Sequence, residues 1–155
     1  MTPPIEKLAK IYLEGSPITI SKKTTEELCE FIMGRFRDLP FAVQVSDFRR
    51  YETVAEMFAD IDNGHLWELV ENYDTQLYPN PFYGLAFLAV HDYDHYLANT
   101  DFSLSGEITA YKAIANQSPS LEVQKILYSE IVLKSAAHLY LGHTPEPKVV
   151  FAAAT

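Results

Sequence analysis

The segment that most constrains this chain begins at Tyr78-Pro79-Asn80-Pro81 and continues through Phe82 to Val90, apolar on almost every side of a helical wheel. It then passes without a break into His91-Asp92-Tyr93-Asp94-His95. Proline restricts itself and the residue before it, so a helix can start near Pro81 but not earlier. A helix that is apolar nearly all round has no face to offer water and is expected to run through the centre of its domain, with other elements packed about it. The longest wholly apolar run, 85–90, is far short of the roughly 20 residues that span a membrane, so no integral membrane segment is expected.

The rest of the chain reads as the helices that would surround this one. Pro3-Pro4 precedes Ile5, Leu8, Ala9, Tyr12 and Leu13, apolar positions at helical spacing that Gly15 closes. Residues 18–21 are an extended stretch too brief to found a sheet. Thr24-Thr25-Glu26-Glu27 reads as a capping box for a second helix that buries Leu28, Phe31, Ile32 and Phe36 and stops before Pro40. Ser46 is expected to cap a third helix carrying Phe48, Tyr51, Val54, Ala55, Phe58 and Ile61, ended by Asn63-Gly64. A fourth is expected on Leu66, Trp67, Leu69, Val70 and Tyr73. After the central helix, a turn over 99–102 leads to a sixth helix from Ser103 to about Asn116. Ser118-Pro119 then opens a long seventh that Gly142 ends after Leu141. Residues 143–155, with Pro145 and Pro147, are expected to be an extended tail lying along the core through Val149, Val150 and Phe151. The expected architecture is therefore all-α, a single-domain helical bundle of about seven helices over residues 1–155.

Composition narrows the function classes. The chain of 155 residues carries 21 acidic against 12 basic side chains, a formal charge of -9, and shows no basic patch, so nucleic acid is not an expected partner. A single cysteine, Cys29, excludes an internal disulfide framework and any multi-cysteine zinc module, and its apolar stripe makes it a small hydrophobe. The first fifteen residues carry Glu6, Lys7, Lys10 and Glu14 with no apolar run, so a secretory leader is not expected. These features give the expectation of a soluble, cytoplasmic protein. No Gly-x-Ser-x-Gly elbow, phosphate loop or dinucleotide fingerprint is present.

The chemistry concentrates where the central helix turns polar. At about 100° per residue His91, His95 and Asp92 fall near 0°, 40° and 100°, sharing one arc, while Asp94 falls near −60° and reads as a solvent-facing or histidine-orienting group. Glu107 lies about one turn into the next helix, and an antiparallel hairpin would bring it level with His95. Two imidazoles and up to two carboxylates make a nitrogen and oxygen site suited to zinc, with iron(II) or manganese as further choices. Burying the four without a shared cation would leave several charges to satisfy. The competing reading is a non-catalytic helical adaptor or scaffold, in which the four form a structural metal site or a hydrogen-bonded network.

His91-Asp92-x-x-His95, eleven intervening residues and then Glu107 resembles the metal motif of the ubiquinone (coenzyme Q) biosynthesis accessory proteins, His-Asp-x-x-His-x11-Glu, in which glycine often precedes the glutamate, as Gly106 does here. The resemblance spans residues 91–107. It implies an all-helical fold, zinc or a similar divalent ion on His91, Asp92, His95 and Glu107, and an apolar or prenylated small molecule as partner. It also implies a role at a quinone head group, in decarboxylation or hydroxylation, and so a protein that works at the membrane periphery. Glu107 or Asp92 is then the candidate proton acceptor.

Other groups weigh less. Glu130, Lys134 and His138 fall on one stripe and read first as a Glu-Lys ladder on an exposed face, second as a support or proton relay for the site. His65 and His143 are placed at helix ends, where a solvated histidine needs no function. The ten tyrosines and nine phenylalanines read as core.

Overall fold

The computed structural model describes residues 3–69 and 77–152. Among them are six helices: α1 (Ile5–Glu14), α2 (Lys22–Arg37), α3 (Val54–Asp62), α4 (Pro81–Ala98), α5 (Leu104–Ala115) and α6, a continuous helix made of Leu121–Leu127, Tyr128–Leu133 and Lys134–Leu141. Two short strands, β1 (Ala42–Ser46) and β2 (His65–Leu69), pair in parallel with Ala42 opposite His65 and Ser46 opposite Leu69. The fold is mostly helical but not purely all-α.

α4 starts where its sequence predicts and packs on α2, α5 and β2, with much of its apolar surface in the core but Phe82 and Leu97 exposed. Pro81 sits in its first turn, the Asn80 side chain accepts a hydrogen bond from Phe82 N at 2.9 Å, and Asn99 ends the helix in the left-handed region at φ 53°. Gly84, Ala86, Phe87, Ala89 and Val90 are buried, as are His91, Asp94 and His95. Its Ala86, Phe87 and Val90 join one hydrophobic cluster with Tyr12 of α1, Leu28 and Ile32 of α2, Ile114 of α5 and Ile126, Leu127 and Ile131 of α6.

Two corrections concern residues 46–69. Ser46 ends β1 rather than capping a helix, and Phe48 and Tyr51 lie in the loop that follows. α3 starts at Val54 behind a capping box in which Thr53 and Glu56 satisfy each other's backbone donors. The stretch expected as a fourth helix is β2, with Leu66 and Glu68 buried on one face. Val70 and Tyr73 lie outside the described residues. Leu66, Trp67 and Leu69 fit both a helical and a strand period, and a five-residue run cannot decide between them. Pairing with β1 decides it, and α3 is the crossover that parallel strands require.

Other boundaries shift by less. α2 begins at Lys22, capped by Ser21, whose hydroxyl accepts from Thr24 N at 3.1 Å. α6 is capped by Ser120 rather than Ser118, and its middle turn, Tyr128–Leu133, is a π-helix. The tail lies along the core as expected, with Val149 and Val150 buried, and is fastened there by polar contacts. Val150 N donates to Ser129 Oγ in the π turn at 2.9 Å, and Lys148 Nζ donates to Leu13 O and Gly15 O at the end of α1. Gly15 is needed there for proximity, since a Cβ would lie 2.4 Å from Val150 Cγ1.

Candidate metal centre

The polar end of α4 and the first turn of α5 face each other across the turn at 99–103. Ser103 caps α5 by accepting from Gly106 N at 3.2 Å, and Glu107 follows in the first turn, where the helix N-terminus favours a carboxylate. Gly106 has a steric reason to be glycine: a Cβ would stand 1.9 Å from Asp101 O, in the turn itself. The tight turn is thus what sets Glu107 against α4.

His95 Nε2 lies 2.7 Å from Glu107 Oε1, His91 Nε2 lies 2.9 Å from the same oxygen, and the two Nε2 atoms are 3.2 Å apart. All three side chains are buried. Each offers one ligand atom, within 4.8 Å of one another, to a common cation. Nitrogen and oxygen ligands about 2.0–2.1 Å from a tetrahedral zinc stand about 3.3 Å apart, so this triangle is already nearly the size such an ion needs. The donor set therefore fits a divalent metal.

Further contacts orient the three groups. Ser135 of α6 donates to Glu107 Oε2 at 2.9 Å, and Thr100 Oγ1 lies 3.1 Å from His95 Nδ1. Ligating residues characteristically use their second polar atom in this way. His91 lies parallel to Phe87, with centroids 5.8 Å apart, and His95 lies 4.1 Å from Phe102. His91 Nδ1 is buried with no hydrogen-bond partner among the described residues.

Electrostatics bind the group further. Burial opposes ionisation of Glu107, yet hydrogen bonds and charge from His91 and His95 outweigh it and hold the carboxyl at about 2. Burial alone would lower His91, but the Glu107 carboxylate raises it. Negative charge is therefore fixed on the oxygens a cation would contact.

Asp92, expected as a fourth ligand, is not among the three converging side chains. Its carboxyl meets that of Glu68 on β2, and both are pushed upward, chiefly by burial. Burial and the charge each presents to the other favour the neutral form of the pair. Sequence reasoning missed Glu68 because it lies in the strand read as a helix. No alternation in His65-Leu66-Trp67-Glu68-Leu69 marks it out. Asp94 is neither solvent-facing nor against a histidine: it is buried, and Arg35 of α2 grips it through Nη2–Oδ1 at 2.8 Å and Nη1–Oδ2 at 3.3 Å. That bidentate pair anchors the ligand-bearing helix to α2.

A cavity of about 960 Å³ adjoins the centre, with His91, Asp92 and Glu107 on its wall. The Glu130–Lys134 pair, with Nζ and Oε2 3.7 Å apart, lines it too. Glu130 is buried, so this is not the ladder on an exposed face that its spacing first suggested. His138 is exposed at the same cavity. His65 lies in β2 instead of at a helix end, with Nδ1 2.8 Å from Asp60 and Nε2 2.6 Å from Gln44. His143 is exposed, and Cys29 is buried as a small hydrophobe. No described helix is long and apolar enough to cross a membrane.

Comparison with protein families, with curated proteins and with solved structures gives no match to this chain.

Proposed function

We propose that the protein holds a divalent metal on His91, His95 and Glu107, zinc before iron or manganese, and acts through it on a quinone precursor or another aromatic or prenylated substrate. The observation that carries this reading is the convergence of three buried ligand atoms beside a cavity of about 960 Å³. His91 and Glu107 line that cavity while His95 is wholly buried. An ion held by three protein ligands keeps a position for substrate or water, the arrangement of catalytic rather than structural sites. Such an ion, when bound, supplies Lewis acidity toward a phenolate or carboxylate oxygen.

The chain's own groups do the rest. Ser135 and Thr100 fix the orientation of Glu107 and His95. Phe87 and Phe102 shield the imidazoles from water on their ring faces. Asp92, facing Glu68 on the cavity wall, is the group placed to exchange a proton with a ligand, in preference to Glu107, both of whose oxygens are engaged. The resemblance of residues 91–107 to the ubiquinone accessory motif supports the choice of substrate class.

A second reading has one observation in its favour. If both Nε2 atoms carry hydrogens, each can donate to Glu107 Oε1 while Thr100 donates to His95 Nδ1, a network that needs no ion. The protein would then be a non-catalytic helical adaptor. Binding of a short-chain prenylated hydroquinone, measured by calorimetry with and without chelator, separates the two. Affinity that falls at least tenfold on chelation supports the enzyme reading, and equal affinity or none contradicts it.

A further inference from the structure

The rim of the same cavity carries an arginine that the metal centre does not use. Arg50 lies in the loop after β1, its guanidinium carbon 3.9 Å from the ring centroid of Phe48 and 3.9 Å from that of Trp67. Its Nε donates to Ser46 Oγ at 2.9 Å, and the buried Ser46 is held by the backbone of Phe48 through both its donor and its acceptor. Two rings thus stand against the guanidinium and one nitrogen is spent. Nη1 and Nη2 meet no acceptor among the described residues. All three of these stacked side chains line the cavity, and Phe48, 54% exposed, marks its solvent-facing end.

With a formal charge of -9 the chain holds acids in excess of bases. Glu52 and Glu68 line the same cavity, yet neither forms an ion pair with Arg50. A guanidinium held against two rings and a hydroxyl is pre-organised, so it loses little freedom on binding, and its open edge offers two parallel donors that match a carboxylate or phosphate. In a protein of this net charge, a fixed cation is also what an anionic ligand needs to approach at all.

We propose that Arg50 receives the oxyanion, carboxylate or phosphate, of the ligand that enters this cavity, and so selects for anionic ligands. The inference shares the cavity with the metal reading but does not require the metal. It gives the cavity two polar ends, the ligand triangle and the stacked guanidinium, with apolar wall between them from Met57, Phe87 and Leu88.

Trp67 is the single tryptophan, so its fluorescence reports directly on the ring that covers Arg50. The full chain is titrated with benzoate, phenyl phosphate and uncharged benzyl alcohol, before and after chelator treatment. A saturable change is expected with the anions and not with benzyl alcohol, persisting without metal, and the tighter of the two anions names the oxyanion. Arg50→Gln is expected to weaken anion binding at least tenfold with unchanged circular dichroism. Arg50→Lys, which keeps the charge and loses the fork, is expected to fall between. An equal response to benzyl alcohol, unchanged affinity in Arg50→Gln, or loss of the anion response on chelation overturns the inference. The last outcome would place the anion on the metal, and persistence in a protein that binds no metal would separate failure of the metal reading from failure of this one.

Discussion

His95 and Glu107, twelve residues apart and on different helices, meet at 2.7 Å through Nε2 and Oε1 with the imidazole wholly buried. The contact depends on how closely the turn between α4 and α5 folds, and Gly106 sets that closeness.

Gly106→Ala is therefore expected to act on both fold and site. Its Cβ would overlap Asp101 O at 1.9 Å, a backbone atom that cannot rotate away. Overpacking of this kind costs about 1–3 kcal/mol, and opening the turn moves Glu107 off the histidines. Thermal melting should show the destabilisation, and metal content should fall with it.

Ser135→Ala tests the outer contact separately. Removing the donor to Glu107 Oε2 leaves the three candidate ligands in place but frees the carboxylate to rotate. Metal affinity is expected to fall about tenfold, the lower end of the effect of such supporting residues, with little change in helicity. A competition titration against a chromophoric chelator measures it.

The sequence reveals this region because its signals are local. Asn80-Pro81 starts α4, Ser103 starts α5, and i, i+4 spacing puts His91 and His95 on one face. The tail's course was legible as well, from Val149 and Val150. What stayed hidden depends on distant partners. β1 and β2 are five residues each and become strands only by pairing with each other across α3. Misreading β2 concealed Glu68, and with it the carboxyl that Asp92 meets. Ser135 and Arg35 reach the site from α6 and α2, and no spacing in the sequence encodes that approach.

Acid should loosen the join between α3 and β2. Asp60 accepts from Tyr51 Oη at 2.6 Å and contacts His65 Nδ1 at 2.8 Å. Partial burial raises its carboxyl, but the Tyr51 and His65 hydrogen bonds win and bring it below its ordinary 3.8. A folded-state value below the unfolded one contributes stability above the unfolded value, lost as pH falls through the folded one. Asp60→Asn is thus expected to cost about 1 kcal/mol at neutral pH, allowing for solvent screening. The gap from the native protein should close below about pH 4. Denaturant melts at neutral pH and in acid check both statements.

The most direct measurement is elemental analysis of the purified protein beside His95→Ala and Glu107→Gln, each then melted with and without chelator. The account predicts about one divalent ion per chain in the native protein and much less in both variants, which remain helical. It also predicts a chelator-induced fall in melting temperature in the native protein alone, because an ion that binds only the folded state stabilises it. No bound ion in the native protein and melting indifferent to chelator would contradict it, leaving His91, His95 and Glu107 as a hydrogen-bonded network.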